Sequence, residues 1–356
     1  MIVDIENRSF LKPEELSDAQ REAINRANRT PVEKYLGNMG FQRIAGVAVA
    51  IARPFKGNSL EESIEAGQPP VFRFLPWGNL ASQGNEWNQT VQTQLIADMI
   101  GRSVVAVSSP SKGSMLELSQ DDRKKVAAGD FAPVAREMLG VIGAVTTEQQ
   151  ISKLALMGAS QGATFAIATA SEIAKRGEQE VSGVLASGLP NVMERSRLQL
   201  MGDFGKAGAP ELYDTLMMTG VPALIDGNNL SLRRRPGKLP FRFIAGTTIK
   251  SSSHPLLALA LSAGMGQPDT IWKKDIPNIL AKDVPLTLVA EGKGAIMPVD
   301  SLRERIEELY NYAESGSGLE PRQLEKLQLL SIPEGDHTMS DHVPTMAGLA
   351  IGALRL

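Results

Sequence analysis

A chain of 356 residues is long enough for one large α/β domain carrying an insertion. Its 42% hydrophobic and 22% charged residues are those of a folded globule, and a net charge of −3 offers no basic face for nucleic acid. There is no cysteine, which excludes disulfides, thiolate catalysis and zinc–thiolate sites, and the 3 histidines are too dispersed for a histidine metal site, so no metal and no cofactor is expected.

Residues 1–40 read as a polar helical extension, with capping residues at Ser17 and Asp18 followed by alanines and charges. Asp4, Glu6 and Arg8 stand where a signal peptide would be apolar, and no stretch nears the roughly 18 apolar residues of a membrane span. The expectation is a cytoplasmic protein. Ile44 to Ile51 predicts a strand, Gly57 to Pro70 a loop, and Val71 to Leu75 and Ser103 to Val107 further strands. Phe131 to Val145 has helical periodicity, and Val181 to Ser187 is again a strand. This alternation implies a parallel sheet covered by helices on both faces.

The alternation lapses between residues 191 and 282. That stretch holds helical pieces at Glu211 to Met218, His254 to Met265 and Pro268 to Leu280, and turns near Asp226 and Pro236. Its methionines, such as Met217 and Met265, suit a core better than a pocket lining, and Arg233-Arg234-Arg235 suits a solvated loop. Strand and helix patterns resume with Pro285 to Ala290, Leu302 to Tyr312, Leu327 to Ile332 and a closing apolar helix within Val343 to Leu356.

The chemistry concentrates at Gly158-Ala159-Ser160-Gln161-Gly162. An apolar run from Leu154 leads in, and small helix-forming residues from Ala163 lead out. That is the layout of a nucleophile elbow, in which a strained strand-to-helix turn lifts a serine hydroxyl above the end of a sheet. Side chains at 158 and 162 would obstruct the close backbone approach such a turn needs. Ser160 is then the nucleophile, and the Gln161 N–H beside it, at a helix start, is an oxyanion donor. A serine nucleophile needs a base. His337 lies in a loop between the last strand and the last helix, where a base reaches over the sheet edge, whereas His342 fits the start of the closing helix and His254 a loop.

With these residues assembled, the chain resembles serine hydrolases of the α/β-hydrolase fold, esterases and lipases among them, from about residue 44 onward. The resemblance implies a mostly parallel twisted sheet flanked by helices. It divides the chain into a core at 41–190 and 283–356 and a helical cap or lid at 191–282. Family members carry His-Gly-x after the third strand; Trp77-Gly78-Asn79 keeps the last two positions, so the match makes the Asn79 N–H the second oxyanion donor. After the next strand the family often has an aspartate where this chain has Ser108-Ser109-Pro110. The triad acid departs from the pattern, because Gly294 occupies its usual place. Glu291 at the strand end is the favoured substitute. Asp300 (which also fits the N-cap of the following helix) and Glu194, after the sixth strand, are the alternatives.

The resemblance implies cleavage of a carboxylic ester or related acyl bond of a small molecule through a Ser-His-acid triad and an acyl-enzyme. Peptidase, thioesterase, carbon–carbon bond hydrolase and cofactor-free haloperoxidase activities use the same machinery. A non-catalytic binding or structural protein on this fold is the alternative from a different class, motivated by Gly294 and Trp77.

Overall fold

The computed structural model describes residues 18, 39–76, 87–110, 118–146, 151–177, 179–196, 199, 255–291, 297–315, 319–332 and 343–354. Strand β1 (Met39–Ile44) and strand β2 (Val47–Ala52) form an antiparallel hairpin in which Ile44 faces Val47. The continuous strand expected over Ile44 to Ile51 is therefore broken. Ala45 and Gly46 both have positive φ, 46° and 79°, as a two-residue turn matching the strand twist requires.

The expected loop from Gly57 to Pro70 contains helix α1 (Leu60–Glu65). Ser59 caps the Glu62 N–H while the Glu62 carboxylate accepts from the Ser59 N–H, a reciprocal box that satisfies two orphan donors. Strand β3 (Val71–Phe74), helix α2 (Trp87–Ile100) and strand β4 (Val104–Val107) follow. Helix α3 (Gln120–Ala127), capped by Ser119, and helix α4 (Ala132–Val145) then precede strand β5 (Lys153–Ala159). Helix α5 (Gln161–Arg176) ends on Gly177 in the left-handed region, φ 68°, and leads to strand β6 (Glu180–Ser187).

Of the span 191–282, residues 200–254 lie outside the described residues. The returning part forms helix α6 (Pro255–Gly264), a π-helical turn at Ile271–Asp275 and helix α7 (Ile276–Leu280). Helix α6 packs on α3, while the π-turn and α7 pack on α5, so these pieces belong to the helical layer beside the sheet. Strand β7 (Leu286–Glu291), helix α8 (Val299–Glu314), the short helix α9 (Pro321–Leu324), strand β8 (Leu327–Ile332) and helix α10 (Val343–Ala353) complete the order.

The strands make one eight-stranded sheet in the order β1-β2-β4-β3-β5-β6-β7-β8, parallel from β4 through β8. Alternation sorts its side chains. Phe72, Phe74, Leu154, Leu156 and Leu288 enter the core under α3 to α8, and Val71, Ala155, Met157 and Val289 face α2 and α10. Phe72 and Phe74 are fully buried, each contributing about 2 kcal/mol. Among the described residues no helix is long and apolar enough to cross a membrane.

One carboxylate lies inside this packing. Asp275, 3% exposed, accepts a 2.8 Å hydrogen bond from Ser171 Oγ on α5 and has Lys175 Nζ at 3.8 Å. Burial pushes its carboxyl up to about 6, against the opposing pull of Ser171 and Lys175.

Candidate active site

Parallel strands deliver their C-terminal ends to one edge of the sheet. Phe74 on β3 stands opposite Gly158 on β5, Ala159 opposite Ser187 on β6, and Glu291 on β7 opposite Ile332 on β8. Ser160 follows directly on β5 at that edge, in the position where open α/β sheets bind ligands.

The elbow has the geometry its glycines require. Ser160 has φ 54° and ψ −125°, a region non-glycine residues occupy only under constraint at a strain of about 1–3 kcal/mol. A Cβ on Gly158 would lie 2.0 Å from the Gly162 oxygen, and one on Gly162 would lie 2.1 Å from the Phe74 oxygen. The Ser160 N–H donates to the Ser187 oxygen at 2.8 Å and the Ala163 N–H donates to the Ser160 oxygen at 2.9 Å. The turn is thereby pinned to β6 on one side and to α5 on the other. Ser160 is 3% exposed and Gln161 fully buried.

Several polar residues around the elbow were not singled out in the sequence. Ser109, two residues past β4, donates from Oγ to Gln161 Oε1 at 2.6 Å. Thr164 Oγ1 on α5 donates to Asn191 Oδ1 at 2.6 Å, and Asn191 Nδ2 donates to the Gly264 and Gln267 oxygens at 2.9 and 3.1 Å. Asn191 therefore ties the end of β6 to both α5 and α6. Arg73 sits in the middle of β3, buried, and donates to Thr93 and Gln92 on α2. Burial pushes its guanidinium down to about 9. A charged residue inside an apolar strand was the available signal for Arg73; Ser109 and Asn191 gave none, because their partners are remote in sequence.

Two of the predicted acids, Glu194 and Asp300, are exposed. Glu194 is exposed after β6. Asp300 is 93% exposed and 3.6 Å from Arg303. It is not the N-cap of α8, which is Pro298: the helix begins at Val299, three residues before the expected Leu302, and Asp300 lies in its first turn. Glu291 closes β7. His337, His342, His254, Trp77, Gly78, Asn79 and Gly294 lie outside the described residues, as do 1–17, 19–38 and Arg233 to Arg235.

Neither a protein-family model nor a curated protein sequence matches the chain. Solved structures do. A carboxylesterase of the thaumarchaeon Nitrososphaera gargenis is 15% identical, with 89% of this chain and 98% of that chain covered and a TM-score of 0.49. A bromoperoxidase from Bacillus anthracis is 13% identical, with 89% and 100% covered and a TM-score of 0.49. The 2-hydroxy-6-oxo-6-phenylhexa-2,4-dienoate hydrolase of Rhodococcus sp. strain RHA1 is 13% identical, with 89% and 99% covered and a TM-score of 0.50. With the strand order and the elbow, this last likeness settles the architecture: the chain has the α/β-hydrolase fold.

Proposed function

We propose that the protein is a serine hydrolase that cleaves a carboxylic ester or related acyl bond. The observation that carries the reading is Ser160 held at positive φ on the strand-to-helix elbow, at the edge where the parallel strands end. Ser160 Oγ attacks the acyl carbon as His337 accepts its proton. The N–H groups of Gln161 and Asn79 hold the tetrahedral oxyanion. His337 returns the proton to the leaving oxygen as the carbon–oxygen bond breaks, and water, activated by His337, releases the acid from Ser160.

A carboxylate fixes the tautomer of His337 and stabilises its imidazolium. Glu291 is favoured for that part because its backbone pairs with Ile332, the end of the strand from which the His337 segment departs. Asp300 and Glu194 remain the alternatives. The cap that shapes the acyl and alcohol pockets is assigned to the span 191–282.

The test is covalent labelling. A fluorophosphonate modifies Ser160 in the native protein and leaves Ser160→Ala unmodified, and ester turnover in that variant falls by about 10³-fold or more. Native protein that labels nowhere would favour the non-catalytic reading, and undiminished labelling of the alanine variant would place the nucleophile elsewhere.

A further inference from the structure

The strain at Ser160 has to be held by its surroundings, and the constraints fall on known atoms. Two backbone bonds fix Ser160 itself, to Ser187 and to Ala163, and Gly162 is wedged against the Phe74 oxygen. The donor proposed to face the oxyanion lies between them, on the peptide joining Ser160 to Gln161. Residue 161 opens α5, and its side chain adds a further hold. In the sheet, β3 lies between β4 and β5, so a side chain from the start of α5 reaches the end of β4 only by crossing the end of β3. Gln161 does so. Its Oε1 accepts from Ser109 Oγ at 2.6 Å, and both residues are at most 1% exposed.

The other end of the same carboxamide, Nε2, is buried and has no hydrogen-bond partner among the described residues. Among the described residues the Ser109 hydroxyl is the one hydrogen bond that side chain makes.

We infer that Ser109 and the Gln161 side chain form a positioning clamp: the hydroxyl at the end of β4 holds the Gln161 carboxamide across the end of β3, and this fixes the Gln161 N–H in the orientation the oxyanion requires. In this part both side chains act through the Gln161 N–H. The inference rests on the hydrolase reading. It gives Ser109, two residues past β4, a part in that reaction.

The experiment measures the second-order rate of fluorophosphonate labelling at Ser160, together with kcat and KM for a short-chain p-nitrophenyl ester. The proteins are the unaltered chain, Ser109→Ala, Ser109→Thr, Gln161→Met and the Ser109→Ala/Gln161→Met double variant, each with its melting curve. Ser109→Ala and Gln161→Met are each expected to lower the labelling rate and kcat by about 10–100-fold with KM and melting little changed, since a small misplacement of an oxyanion donor has effects of that order. The double variant is expected to fall no further than the worse single one, as members of one unit do. Ser109→Thr, which keeps the hydroxyl, restores most of the rate. Losses under threefold, additive losses, or a threonine variant as slow as the alanine one would overturn the clamp. If Gln161→Met does not fold, the alanine and threonine pair at 109 decides alone. Failure of the unaltered chain to label at Ser160 would overturn the hydrolase reading and the clamp with it, whereas normal labelling at unchanged rates in all variants overturns the clamp only.

Discussion

Asp275→Asn should stabilise the protein at neutral pH and do much less in acid. The unfolded carboxyl titrates near 3.8 and the folded one at about 6. Because the folded value is the higher, the native state binds the proton more tightly, so stability falls as pH rises from 3.8 to 6 and is level above that. The difference of about 2 units corresponds to a penalty of about 3 kcal/mol at pH 7.5, shrinking to about 1 kcal/mol at pH 4.5. Asparagine has the same shape, is neutral throughout, and still accepts the Ser171 hydroxyl. It forgoes the charge attraction of Lys175 at 3.8 Å and Lys274, escapes the repulsion from Asp130, and adds an amide donor inside the packing. The expected net gain is about 1–2 kcal/mol at pH 7.5 and about zero at pH 4.5. Urea unfolding of both proteins at the two pH values reads this directly, because every other titrating group is shared. An asparagine variant no more stable than its parent at pH 7.5, or one whose advantage is the same at both, would refute the reasoning.

Gly162→Ala should lose about 4 kcal/mol or more, since the new methyl meets the Phe74 and Leu75 backbone oxygens at 2.1 and 2.9 Å and β3, paired on both sides to β4 and β5, cannot withdraw; a normal denaturation midpoint would contradict the elbow packing. Glu291→Gln should lower kcat by about 10⁴ with KM little changed, while Asp300→Asn changes stability by about 1 kcal/mol or less and leaves turnover intact. Steady-state kinetics on Glu291→Gln, Asp300→Asn and Glu194→Gln assign the acid to whichever variant is inactive.

Much of this architecture was legible because its signals are local. The elbow announced itself through two glycines whose absent side chains answer contacts at 2.0 and 2.1 Å, and the long buried strands through unbroken apolar runs. The β1–β2 hairpin was hidden because Ala45-Gly46 is not among the strong turn pairs and the apolar pattern runs through it. Helix α1 carried its own capping box at Ser59 and Glu62, but Gly57, Gly67, Pro69 and Pro70 around it favoured a loop. The start of α8 was placed too late because Val299 and Asp300 are indifferent helix formers that only their position after Pro298 recruits. The clamp between Ser109 and Gln161 spans 52 positions in sequence, and no periodicity connects its two ends. Trp77, Asn79 and His337, on which the sequence also drew, are outside the described residues.

The elbow also bears on how the chain reaches its native state. The atoms that hold Ser160 at positive φ come from β3, β5 and β6 and from the start of α5, through Phe74, Gly158, Ser187 and Gly162. Those strands are joined by long crossovers, and non-local pairings of this kind are the slow ones to form. In an unfolded or half-assembled chain nothing opposes relaxation of the turn, so Ser160 is there an ordinary serine in an extended or helical conformation. The reactivity proposed for it would arise only when the three central strands close around it. A reagent specific for that serine would therefore count, molecule by molecule, the chains whose central sheet has been completed.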